Sequence, residues 1–187
     1  MFENPITFLR ITGEHPYLSS IQVWYEGSFP IEERRNFSEL LQLLSYPDMC
    51  LCALVVADRL VGFMIYWQWN DLAFIEHFAI DPAQRGKQVG QQALRYLLRN
   101  PFRYVVLEVE LPNDEISRRR IQFYERQGFA LLPFDYVQPP YQPEKPAVPM
   151  RLMSVPPLAD EADFNKLSTI LKERVYERFY IKNRPTI

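Results

Sequence analysis

Apolar positions recur with two periods along the chain, and the changes of period mark out its elements. Ile6 to Thr12 reads as a strand, and Pro16 to Gly27 as a helix with Ile21, Trp24 and Tyr25 on its apolar side. The stretch FPIEERRNFSELLQLLSYP spaces Ile31, Phe37, Leu40, Leu41 and Leu44 close to the helical repeat and ends at Pro47. MCLCALVVADRLVGFMIYWQW is strand-rich on both sides of Asp58-Arg59, which is a hairpin signal. Asn70-Asp71 then separates a further strand, Leu72 to Ile80. Val89 to Arg99 fits a helix with Leu94, Leu97 and Leu98 inward, and Tyr104 to Leu111 fits a strand. NDEISRRRIQFYERQGF predicts a helix that begins at an Asn113 or Asp114 cap and stops at Gly128. FALLPFDYV and VPMRLMS read as the last two strands.

QPPYQPEKPAVP, between those two strands, must be a loop, because proline removes ladder donors. Eight of the sixteen prolines fall between Pro133 and Pro157, so this segment is stiff enough to hold one shape over a cleft. From Asp160 an amphipathic helix is predicted, with Phe164, Leu167, Leu171, Val175 and Phe179 as its stripe. The favoured partner of that stripe is the protein's own domain, with a homodimer contact and a membrane surface as alternatives. The expected organisation is one domain over residues 1–155 and a C-terminal helical extension over 156–187.

A chain of 187 residues, 48% hydrophobic and 14% aromatic, can bury a sizeable core. Its formal charge of −2 carries no sign-biased patch, which argues against a nucleic-acid partner. EERR (Glu32 to Arg35) and RRR (Arg118 to Arg120) read as solvated helix faces. Cys50 and Cys52 share one face of a predicted strand, and neither His15 nor His77 completes a metal-ligand spacing. No metal site is expected, and the thiols suit a reducing compartment. MFENPITFLRI lacks the plan of a signal peptide and no apolar run is long enough to span a bilayer, so the expectation is a soluble cytoplasmic protein without a membrane partner.

IEHFAIDPAQRGKQVGQQAL combines a strand, a short basic turn and a helix start. That order leaves backbone N–H groups unpaired at a helix N-terminus, a natural anion site. Gln88 stands where a second glycine would make the turn look like a standard phosphate cradle.

Three stretches carry a family resemblance: FAIDPAQRGKQVGQQAL, RRRIQFYERQGF and, more weakly, YVVLEVEL. Together with the element order they resemble the GCN5-related N-acetyltransferase (GNAT) family over roughly Ile6 to Ser154. The resemblance implies an α/β (α+β) fold with a mixed, mostly antiparallel central sheet of about seven strands flanked by helices. It implies an enzyme that moves an acetyl group from acetyl-coenzyme A to a primary amine of a small molecule or peptide. The family's (Gln/Arg)-x-x-Gly-x-(Gly/Ala) turn falls here on Arg85, Gly86, Lys87, Gln88, Val89 and Gly90, with Gln88 in place of the inner glycine. These six residues, with Phe78, Ala79, Ile80 and Tyr124, are the expected coenzyme A contacts.

The implied reaction is direct attack of an amine on a thioester, and it needs three groups. Tyr124 matches the family's tyrosine as proton donor to the departing thiolate. A backbone N–H near Phe78 to Ile80 would meet the oxyanion. Glu76 shares a strand face with Phe74, Phe78 and Ile80, where a carboxylate among apolar neighbours suits a general base. Glu108 and Glu110 are the rival carboxylates, and His77 points the other way. Trp24, Tyr25, Phe29 and Tyr141 are the candidate walls of the acceptor site, from a wider aromatic set that includes Tyr66, Trp67 and Trp69. The competing readings are a non-catalytic acyl-coenzyme A sensor and a protein-interaction domain that has lost the cofactor.

Overall fold

The structure is a computed structural model that describes residues 5–178. Phe179, the last position of the predicted C-terminal stripe, lies outside the described residues. Among the described residues there are eight strands and five α-helices, in two compact units.

The first unit comprises residues 5–30 and Asn36–Val105. It holds β1 (Thr7–Ile11), α1 (Leu18–Ser28), α2 (Phe37–Gln42), β2 (Met49–Val56), β3 (Arg59–Trp69), β4 (Leu72–Ile80) and α3 (Val89–Leu97). The strands lie in chain order and every neighbouring pair is antiparallel. The β2–β3 hairpin turns on Ala57 and Asp58, both with positive φ (47° and 60°), so Arg59 is already the first residue of β3. Such left-handed pairs match the twist of the strands they join. β2 is apolar from Met49 to Leu54 and buried throughout, because both of its faces are covered. At the far end of the sheet, Gly62 of β3 lies opposite Ile80 of β4. A Cβ on Gly62 would come within 2.6 Å of the Ala79 carbonyl oxygen, so the close approach of the two strands requires glycine.

The single long helix expected between Phe29 and Pro47 does not form. A 3₁₀ turn at Ile31–Glu33 is followed by a break at Asn36, which is extended (φ −60°, ψ 140°) and precedes α2. The apolar spacing is helical only from Phe37, and Ile31 is exposed. Asparagine favours the extended cap position over a helix interior.

The second unit comprises Ile31–Arg35 and the chain from Val106 onward. It holds most of β5 (Tyr104–Glu110), then α4 (Glu115–Glu125), β6 (Ala130–Leu131), β7 (Tyr136–Gln138), β8 (Val148–Val155) and α5 (Glu161–Leu171). Strand order is β5-β8-β6, and β7 also pairs with β8. The stretch FALLPFDYV therefore makes two short strands where one was expected, which raises the count from about seven to eight. Pro133 interrupts the run: with no N–H it cannot continue the ladder, and Leu131 and Tyr136 pair with separate parts of β8. Asp114 caps α4 through a reciprocal pair of bonds with Ser117, and Gly128, at φ 93°, follows the helix end.

α5 continues into a π-helical turn, Lys172–Glu177. Phe164, Leu167, Leu171 and Val175 are all buried, and Phe164 packs on Phe134 with ring centroids 5.0 Å apart. Among the described residues no helix is long and apolar enough to cross a membrane.

Candidate active site

β4 ends at Ile80, and Asp81 accepts a bond from the Ala83 N–H to cap a 3₁₀ turn over Pro82–Gln84. Arg85, Gly86, Lys87 and Gln88 follow, all exposed, and Val89 opens α3 and is buried. Gly86 has φ 77° and open space around it, so it is glycine for its backbone angle and not for room. Gln88 also takes up the left-handed region, at φ 61° and ψ 8°. A side chain there costs about 1 kcal/mol. Two residues of the turn, Gly86 and Gln88, therefore sit in the left-handed region, and only the first is a glycine.

The N–H groups of Gly86, Gln88, Val89, Gly90 and Gln91 reach no backbone acceptor among the described residues. They lie at the positive end of α3, beside Arg85 and Lys87, whose ammonium bonds Gln84 Oε1 at 3.1 Å. Exposed donors, a helix N-terminus and two cations fit a pyrophosphate. Gln88→Gly relieves the strain but frees the unfolded chain, so its stability should stay within about 1 kcal/mol of the parent. Gln88→Val puts a β-branched residue at positive φ and should cost about 2 kcal/mol. Thermal melts separate the two; a valine variant as stable as the parent would mean that residue 88 is not left-handed.

Glu76 sits at an irregularity in β4. Ile75 pairs with Tyr66 and His77 with Ile65, so Glu76 has no partner residue in β3 and forms a β-bulge. Glu76, Phe78 and Ile80 are partly exposed and alternate with buried Ile75, His77 and Ala79, which places the first three on one face. Trp67 donates its indole N–H to Glu76 Oε2 at 2.7 Å.

The four aromatic candidates separate by burial. Trp24 and Phe29 are partly exposed. Tyr25 is fully buried among Phe29, Phe37, Phe63 and His77, so its ring is core and not a wall of a cleft. Tyr141, expected on a stiff loop as a wall of the acceptor site, is also fully buried. Its ring lies 5.0 Å from that of Tyr176, with the Arg35 guanidinium 4.6 Å away on its face.

Tyr124 lies near the end of α4, its ring edge-on to those of Phe123 and Phe129 at 5.3 and 5.8 Å. Burial pushes its phenol up to about 12, with smaller and opposed effects of Arg120 and Glu110. It is therefore a neutral O–H donor at every physiological pH.

The rival carboxylates of β5 are both engaged. Glu108 receives the hydroxyl of Tyr136 at 2.5 Å, that of Tyr176 at 2.6 and 2.7 Å, and the Gln138 amide at 3.0 Å. Sequence reasoning missed this cluster, since its members lie on three elements and no local motif links them. Glu110 pairs with Arg120. Glu33 is held above the ordinary carboxylate range by its partial burial first, then by the Glu110 charge. A raised carboxyl favours folding below its unfolded value near 4.5 and loses that contribution as the pH rises through its folded value. Glu33→Gln should thus raise the melting temperature at pH 7 and leave it unchanged at pH 3.5; a rise at both would show that charge is not the cause.

Among the described residues no group of three or more His, Cys, Asp or Glu side chains is arranged to hold a metal ion. Cys50 and Cys52 are buried free thiols, both raised chiefly by desolvation, Cys52 to about 12.

Residues 18–129 match the Acetyltransferase (GNAT) family. Among solved structures, the chain is similar to a GNAT-family protein from Bacteroides thetaiotaomicron: 34% identity over 91% of this chain and 98% of that one, with a TM-score of 0.84. The ribosomal-protein-S18-alanine N-acetyltransferase from Escherichia coli is 20% identical over 84% of this chain and 97% of its own, with a TM-score of 0.59. An aminoglycoside 6'-N-acetyltransferase complexed with coenzyme A is 16% identical over 82% of this chain and 99% of its own, also at 0.59. The last two are likenesses of fold. No curated protein matches the chain.

Proposed function

Because the chain belongs to the GNAT family of acetyltransferases, we propose that it transfers an acetyl group from acetyl-coenzyme A to a primary amine of a small molecule or peptide. The observation that carries this reading is the turn from Arg85 to Gly90, whose N–H groups without backbone acceptors among the described residues and whose left-handed residues suit a pyrophosphate. A structural relative with the same fold is complexed with coenzyme A.

When bound, acetyl-coenzyme A supplies an activated thioester. The chain's own residues then divide the work. Gly86, Gln88, Val89 and Gly90 hold phosphate oxygens through their N–H groups, with Arg85 and Lys87 as nearby charges. A backbone N–H of the stretch Phe78 to Ile80 offsets the charge that gathers on the carbonyl oxygen. Glu76 takes the proton that the amine loses as the new C–N bond forms. Tyr124 gives its phenolic proton to the sulfur as the C–S bond breaks. Trp24 and Phe29, the two partly exposed aromatics, face the acceptor and favour an amine with an apolar or aromatic body. The two buried free thiols suit a cytoplasmic setting.

The test is to supply acetyl-coenzyme A with a broad panel of amines and follow free thiol, alongside calorimetric titration with coenzyme A. The expected result is saturable binding and thiol release matched by acetylated amine. Binding without turnover on any amine would favour a sensor, and no binding at millimolar ligand would remove the cofactor altogether.

A further inference from the structure

The run Arg118 to Arg120 in α4 reads in the sequence as one solvated face, but its members part ways in the fold. Arg118 donates to the Pro112 carbonyl at 3.1 Å, and Arg119 pairs with Glu115, both side chains at least 70% exposed. Arg120 turns inward instead: it pairs with Glu110, the last residue of β5, and 38% of its side chain is exposed. Four residues on, one helical turn along the same face, stands Tyr124. Tyr124 is 8% exposed, with the rings of Phe123 and Phe129 packed on it. The charges that act on its phenol are Arg120, which eases loss of the proton, and, to a smaller extent, Glu110, which opposes it. Glu33, on the 3₁₀ turn at Ile31–Glu33, feels both partners of the ion pair.

A buried phenol is a weak acid for the task given to Tyr124. Burial raises it to about 12, whereas an ordinary thiol lies at about 8.5, so its proton moves uphill to a departing thiolate. The cost lies in the charge left on the phenol oxygen, where water is largely excluded. We infer that Arg120 is a positioning residue that acts through Tyr124, its guanidinium held by Glu110 so as to offset the negative charge that the phenol oxygen takes up. The inference rests on the proposed function, in which Tyr124 is the proton donor. Tyr124 gives its proton to sulfur as the C–S bond breaks and the bonding pair passes to sulfur. Its oxygen keeps the O–H pair as a phenolate and regains a proton from water before the next turnover. Arginine suits this role because it stays charged at every working pH, and the pair with Glu110 restrains its long side chain. Water still screens part of its field, so its removal should cost less than removal of the phenol itself.

The experiment joins a mutant cycle to a titration that needs no turnover. Arg120→Gln keeps a donor for Glu110 and removes the charge. It should lower kcat by about threefold to tenfold and leave the KM for acetyl-coenzyme A within about twofold. In a Tyr124→Phe background the same change should cost less than about twofold, since the proton it serves is gone. Arg120→Lys should recover most of the loss, and Arg119→Gln, at the exposed neighbour, should leave kcat within about twofold of the parent. With 3-fluorotyrosine in place of Tyr124 alone, the fluorine resonance follows that one phenol as pH rises. Arg120→Gln should move its midpoint up by about one unit, and Arg120→Lys by less than about half as much. Arg120→Met serves in both arms if the glutamine variant fails to fold. Equal losses in both backgrounds, or an unmoved midpoint, would overturn the inference while sparing the proposed function. A wild-type protein without turnover on any amine would overturn both.

Discussion

Tyr124→Phe is expected to lower kcat about 100-fold while leaving coenzyme A affinity within about twofold. The ring stays, and with it the packing on Phe123 and Phe129; only the proton is lost. Burial that raises the phenol to about 12 has two consequences. The hydroxyl is fully protonated at working pH, so wild-type rates should show no falling limb from this group below about pH 11. And phenylalanine keeps the packing that this burial reflects, so the variant should melt close to the parent. Loss of kcat with retained melting temperature separates a catalytic proton donor from a packing residue. An unchanged kcat across the pH range would take Tyr124 out of the mechanism.

Glu108→Ala is the substitution with the largest expected effect on stability, about 3 kcal/mol by urea denaturation. Three buried or partly buried donors converge on this carboxylate, from Tyr136, Gln138 and Tyr176, and alanine leaves all of them without it. Glu108→Gln keeps one acceptor oxygen and should cost roughly half as much. The Tyr136 phenol is held well above its ordinary value, first by burial and next by the Glu108 charge, so either substitution should bring its titration down. An alanine variant as stable as the parent would mean that water replaces the carboxylate without loss.

The parts of the fold that were legible in the sequence are those written in local chemistry. Asp114 and Gly128 bracket α4 because a capping side chain and a left-handed angle each demand a residue type at one position. Asn70, at φ 48°, marks the end of β3 for the same reason, whereas the hairpin expected at Asp58-Arg59 turns one residue earlier, on Ala57 and Asp58. What was not legible depends on partners distant in sequence. Nothing near Tyr141 says that Tyr176 and Arg35 will cover it, so a tyrosine in a proline-rich loop reads as exposed when it is buried. Nothing near Glu76 announces the bulge, since strict alternation along β4 gives the right face for residues 76, 78 and 80 without showing that the register with β3 has slipped. The turn from Arg85 to Gly90 was readable as a motif, but whether Gln88 adopts a left-handed angle is a property of the backbone alone.

The excursion of Ile31–Arg35 into the second unit has a consequence in time. Arg35 donates to the carbonyl of Val175, a bond that closes across 140 residues, and the Lys145 ammonium reaches the Arg34 carbonyl across 111. On a ribosome, everything needed for the β1-to-β4 meander has emerged long before Val175 is made, whereas the short segment at 31–35 must wait for that residue. A late turn, Lys172–Glu177, thus arrives to secure an early segment in the manner of a clasp. Truncations that stop short of residue 175 should leave the meander's own pairings available and strand that early segment without its late partner.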